Sequence, residues 1–108
     1  MLLQHALPSV ASEIVDGFIR LGRPDLAAQL EKLELVTRCP CNDDFCATFY
    51  TQPDESWDGQ KVERFIIEMP GLFCIQTVNG IVARVELLSR PEVRARLREL
   101  FPVVTTRA

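Results

Sequence analysis

The residues best suited to chemistry are Cys39, Cys41 and Cys46, spaced C-x-C-x4-C. Thiolates are soft metal ligands and ready redox groups. Three of them this close could hold a metal, form a disulfide, or pack as small apolar side chains. A structural zinc site takes four ligands. The remaining candidates for a fourth are poor. Cys74 falls in a strand-like run, His5 is the only histidine and lies near one end, and Asp43 and Asp44 sit in a turn. The spacing also differs from the C-x-x-C of common zinc ribbons. No stoichiometric metal or other cofactor is therefore expected, with zinc as the alternative. Packing under the helices is the simplest reading, and a Cys39–Cys46 or Cys41–Cys46 redox pair is the other.

Catalysis has little support in the sequence. A Cys-His nucleophile pair needs a firmly positioned base, and His5 is the sole candidate. The carboxylates Asp43, Asp44, Asp54, Glu55 and Asp58 read as solvated loop residues, and the five glycines form no phosphate-binding motif. Arg90, Arg94 and Arg98 recur every four residues, a stripe that could grip phosphate. With a net charge of −3, a solvated helix face with a Glu92–Arg96 pair is the expected reading. No nucleic acid partner is expected.

The cysteines must be positioned by residues 33–53, LELVTRCPCNDDFCATFYTQP, which read as a β-hairpin. A two-residue turn at Asn42-Asp43 would pair Cys39 with Cys46 and Thr37 with Thr48. A loop longer by two residues would instead set Cys41 opposite Cys46. Both registers gather three thiols near the tip. Pro40 removes a ladder donor, so that strand end is expected at an edge or a bulge.

Before the hairpin, Leu7, Val10, Ala11, Ile14, Phe18 and Leu21 form an apolar helical stripe from Pro8 to Gly22. Gly17 in its middle costs helix stability and suggests close packing. Pro24 opens a second helix with Leu26, Ala27, Leu30 and Leu33 on one side. After the hairpin, strands are expected at 61–69, 72–78 and 81–88, joined by turns at Pro70-Gly71 and Asn79-Gly80. Ser89 and Glu92 match a capping box for a last helix bearing Val93, Leu97, Leu100 and Phe101.

The expected fold is a single α+β domain over residues 1–108, with ends 1–6 and 103–108 poorly ordered. It comprises an N-terminal αα-hairpin, a five-stranded antiparallel meander and a C-terminal helix, all helices on one sheet face. The two turns place Phe65, Ile67, Leu72, Cys74, Val85 and Leu87 in the core. They leave Ile66, Phe73, Ile75 and Val82 as an apolar patch on the second face. Such a patch suits a protein partner or a homodimer, and Trp57 is the aromatic best placed to join it.

The apolar run at the N-terminus lacks a basic leader and is broken by Gln4 and His5, so no signal peptide is expected. No stretch is long enough to span a membrane. The cysteines are then expected to be reduced, in the cytoplasm. The segments LGRPDLAAQLEKL and RCPCNDDFCATFYTQP and the ending NGIVARVELLSRPEVRARL resemble a family of small uncharacterised bacterial proteins with a C-x-C-x4-C-x-T-F-Y pattern. The resemblance implies a bacterial source and carries over no site residue. The function expected from the sequence is a small non-enzymatic binding or interaction module. The alternative is a thiol protein that binds metal or responds to redox state.

Overall fold

The computed structural model describes residues 1–53, 59–67 and 72–102, with backbone alone for Leu72 and Phe73. Trp57 and its acidic loop, the Pro70-Gly71 turn, the tail 103–108 and the Phe73 side chain lie outside the described residues.

Pro8 starts the main helix, α2 (Pro8–Arg20), because a proline at the first helical position gives up only an orphan N–H. Gly22 ends it at φ 79°, which lets the Arg23 N–H close onto the Phe18 carbonyl at 2.8 Å. Val10, Ala11, Ile14 and Phe18 are buried along one side. Leu21, expected on the same stripe, is exposed, as is Ile19.

Three features of the helical part differ from expectation. The first residues are ordered: α1 (Leu3–Ala6) buries Leu3 and Ala6, and the Leu3 N–H reaches the Leu33 carbonyl at 2.9 Å. The segment after Pro24 is α3 (Pro24–Ala27) followed by a 3-10 turn over Ala28–Glu31, which still buries Leu26 and Leu30. The last helix, α4 (Pro91–Leu100), is preceded by Arg90 rather than capped by Ser89. Ser89 sits at φ 62°, and Glu92 pairs with the Arg90 guanidinium.

The sheet has five antiparallel strands: β1 (Thr37–Arg38), β2 (Phe49–Tyr50), β3 (Val62–Phe65), β4 (Leu72–Val78) and β5 (Ile81–Leu88). The fold class is α+β, as expected. The strand order is β1-β2-β5-β4-β3, so the chain leaves β2, crosses to the far edge and returns. An uninterrupted meander would have set β2 beside β3.

The Asn79-Gly80 turn forms as expected, with φ of 53° and 82° and Val78 opposite Ile81. One step on, the register shifts: Thr77 faces Val82, but Gln76 faces Arg84. Ala83 is the extra residue of a β-bulge, and a one-residue slip exchanges the two faces. Phe49, Val85, Ile75 and Phe65 therefore form one row across four strands on the core side. The adjacent row, Tyr50, Arg84, Gln76 and Arg64, faces away. There Arg84 donates to Gln76 at 3.2 Å and lies over the Tyr50 ring.

The bulge brings Val85 and Leu87 onto the face of Ile75 and Val82, and this is the buried face, which overturns the expected interaction patch. Ile75 and Val82 are wholly buried, whereas Ile66 is 76% exposed beyond the end of β3. Ile66, Ile75 and Val82 therefore do not share a free surface. Cys74, expected in the core, is partly exposed and faces Glu86. The bulge is supported from outside its own hairpin. The Thr51 N–H and hydroxyl donate to the carbonyls of Ala83 and Val82, and Gln29 accepts from the Val82 N–H.

Helices and the inner sheet face share one core, centred on Ile14, Phe18, Phe49, Ile75, Val85 and Leu97. Gly17 lets α2 settle against Ile67: a Cβ at position 17 would lie 2.8 Å from the Ile67 Cβ.

Candidate functional site

The cysteine loop leaves the sheet after β1 and returns at β2. Thr37 pairs with Tyr50 and Arg38 with Phe49, which is the longer-loop register. Continued toward the tip, it would set Cys41 opposite Cys46. The Cys39 N–H still bonds the Thr48 carbonyl at 2.9 Å, and Cys46 forms a bridge to Leu88 at the end of β5. Beyond these points the loop has little ladder of its own.

Arginines supply the missing anchors. Arg38 lies on the inner row opposite Phe49 and is 7% exposed. It donates to the Cys39 carbonyl at 3.1 Å and to the Phe101 carbonyl, at the end of α4, at 2.7 Å. Arg98 donates to the Cys41 carbonyl and Arg94 to the Asp43 carbonyl, each at 3.2 Å. The three acceptors, Cys39, Cys41 and Asp43, are alternate residues of one segment.

The spacings match. Four residues along a helix advance about 6 Å, and two residues of extended chain advance about 6.6 Å. Arg94 and Arg98 therefore meet successive like-oriented carbonyls of a chain running antiparallel to α4. The stripe expected to be a solvated face thus binds the loop. Arg90 turns the other way, to Glu13 at 3.0 Å. Arg96 pairs with Glu99 rather than Glu92.

Within this frame the Sγ atoms of Cys39, Cys41 and Cys46 all lie within 4.8 Å of one another. All three residues are partly exposed and none is in a disulfide. Among the described residues no histidine, aspartate, glutamate or further cysteine joins the group. Asp44 points into solvent and pairs with Arg94 at 3.7 Å, His5 is exposed on α1, and Cys74 is on β4.

The thiols are not equivalent. Burial, together with the hydrogen bonds that tie it to Cys46 and Cys39, pushes the Cys41 thiol up to about 11. Burial also opposes ionisation of Cys46. Hydrogen bonds from the Thr48 hydroxyl and N–H and from the Cys41 and Cys39 thiols outweigh it and hold Cys46 below the ordinary cysteine value. For Arg38, burial and the nearby charges of Arg98 and Arg94 lower the pKa, while charge on Cys39 and Cys41 raises it. Cys46, partly exposed and held down in pKa by its hydrogen bonds, is the more reactive of the Cys41 and Cys46 thiols.

The sequence marks the cysteines as candidates but not the arginines that hold them; the four-residue spacing is a signal for Arg94 and Arg98, and Arg38 carries none. Among the described residues, no helix is long and apolar enough to cross a membrane. No family model, curated protein or solved structure gives a significant match to the chain.

Proposed function

We propose that the protein is a redox-responsive thiol protein in which Cys41 and Cys46 form a reversible disulfide. The observation that carries this reading is the mutual approach of the three sulfurs within 4.8 Å at partly exposed positions. The β1–β2 register, extended toward the tip, would set Cys41 opposite Cys46, and the hydrogen bond between these two thiols supports the choice of this pair. Partners that face solvent are open to an oxidant.

The oxidant class that fits is a small hydroperoxide. Cys46, which accepts hydrogen bonds from Thr48, attacks the terminal peroxide oxygen as thiolate. An S–O bond forms, the O–O bond breaks, and the departing oxygen takes a proton to leave as water or alcohol. The Cys41 sulfur then attacks the Cys46 sulfur. The S–S bond forms, the S–O bond breaks, and the hydroxyl leaves as water with the Cys41 proton. The two cysteines supply the two electrons that reduce the peroxide, and a cellular dithiol restores them by exchange. A reducing compartment, such as the cytoplasm, keeps the pair as thiols between oxidations.

The test is peptide mapping without reductant after treatment of the reduced chain with hydrogen peroxide. A Cys41–Cys46 linked peptide, reversed by dithiothreitol with circular dichroism unchanged, is expected. Thiols that survive treatment, or pass directly to sulfinic acid without a disulfide, would rule the reading out.

A further inference from the structure

We propose that the reduced cluster also binds one soft, monovalent metal ion of the copper(I) class in a three-coordinate site made by Cys39, Cys41 and Cys46. This goes beyond the disulfide and does not depend on it, because the metal site uses all three sulfurs as ligands while the proposed S–S bond joins only Cys41 and Cys46.

Geometry comes first. A metal bonded to three sulfurs at about 2.3 Å in a plane holds them about 4 Å apart. The three Sγ atoms already lie within 4.8 Å of one another, so only a small closure is required. The segment carrying Cys39 and Cys41 is held at its carbonyls by Arg38 and Arg98, so it is fixed before the metal arrives. Preorganisation of this kind spares the ordering cost that a flexible loop would add to binding.

Ligand number comes second. Among the described residues the cluster stops at three donors, all thiols. Structural zinc takes four. An all-thiolate set selects soft ions, and of these copper(I) accepts three sulfurs without a further ligand.

Charge comes third. Three thiolates around a monovalent ion leave a doubly negative centre, against a singly negative one for a divalent ion. Arg38, Arg94 and Arg98 donate to carbonyls of the loop, Arg94 also pairing with Asp44, and would offset part of the larger charge. Their guanidiniums donate to carbonyls of the loop, so they stay close without competing for the sulfurs.

The reduced full chain should be titrated anaerobically against copper(I) held by bicinchoninate, with zinc(II) in a parallel series. One copper per chain should leave the chelator, and X-ray absorption should show sulfur neighbours only. Cys39→Ser should weaken copper binding by at least about tenfold. Cys74→Ser should bind copper as the parent does, and near-ultraviolet circular dichroism should confirm that both variants are folded. Copper left entirely on the chelator, unchanged binding by Cys39→Ser, or loss of binding in Cys74→Ser would each overturn the proposal. So would tighter binding of zinc with a fourth ligand. If copper binds but no disulfide forms on oxidation, the redox reading falls and the metal site stands.

Discussion

Arg38 and Phe101 are 63 positions apart, yet the guanidinium Nε donates to the Phe101 carbonyl at 2.7 Å. Phe101 is where α4 stops, and its carbonyl belongs to the end of the helix that carries partial negative charge. Through the same side chain Arg38 also donates to the Cys39 carbonyl at 3.1 Å. One guanidinium thus ties the end of α4 to the start of the cysteine loop.

Replacing Arg38 by Ala should therefore destabilise the protein by about 1.5–3 kcal/mol, the range for hydrogen bonds to a charged group. Urea unfolding followed by circular dichroism reads the change. Arg38→Lys should fall between the two, since one ammonium cannot reproduce the fork. An unchanged midpoint for Arg38→Ala would mean that the tether contributes nothing.

Gly17→Ala tests the approach of α2 to the sheet. Propensity alone favours Ala by about 1 kcal/mol. Its Cβ would lie 2.5 Å from the Ile67 Cδ1 and 2.8 Å from its Cβ. Overpacking of this kind costs about 1–3 kcal/mol, so net destabilisation is expected. Ile67→Ala in the same chain should cost less than it does alone, because the added methyl partly fills its space. A Gly17→Ala chain more stable than the parent would refute the close approach.

Gly80→Val should lower stability by about 1–3 kcal/mol through backbone strain alone. Position 80 holds φ at 82°, and no atom lies within 4 Å of where a Cβ would stand. Thermal unfolding gives the readout. Gly80→Asn should cost less, since Asn tolerates the left-handed region better.

Alkylation of the reduced, metal-free chain should order the thiols by pH. A lowered pKa means more thiolate at a given pH, so Cys46 should react with iodoacetamide at lower pH than an ordinary cysteine. Cys41 should resist until the pH nears about 11. Mass spectrometry of digests across a pH series measures this. Thr48→Val should move Cys46 toward higher pH by removing the hydroxyl donor. Equal rates at Cys41 and Cys46 throughout would contradict the assignment.

Several features were legible from residues near one another in the chain. The stripe of Val10, Ala11, Ile14 and Phe18 specified α2, and Asn79-Gly80 specified its turn, because helix periodicity and turn conformation are short-range effects. The hairpin was enough to bring Cys39, Cys41 and Cys46 together, since either register collects them near one tip. Gly17 signalled a close contact without revealing its partner. What tertiary structure decided depended on groups distant in sequence. The bulge at Ala83 is supported by Thr51 and Gln29, and it brings Val85 and Leu87 onto the face of Ile75 and Val82, which is the buried one. The place of β2 beside β5 followed from packing of the whole sheet. The surroundings of the thiols were settled in the same way. Arg94 and Arg98 look like any solvated helix face until α4 docks along the loop, and only that docking turns a run of three cysteines into a site framed by positive charge.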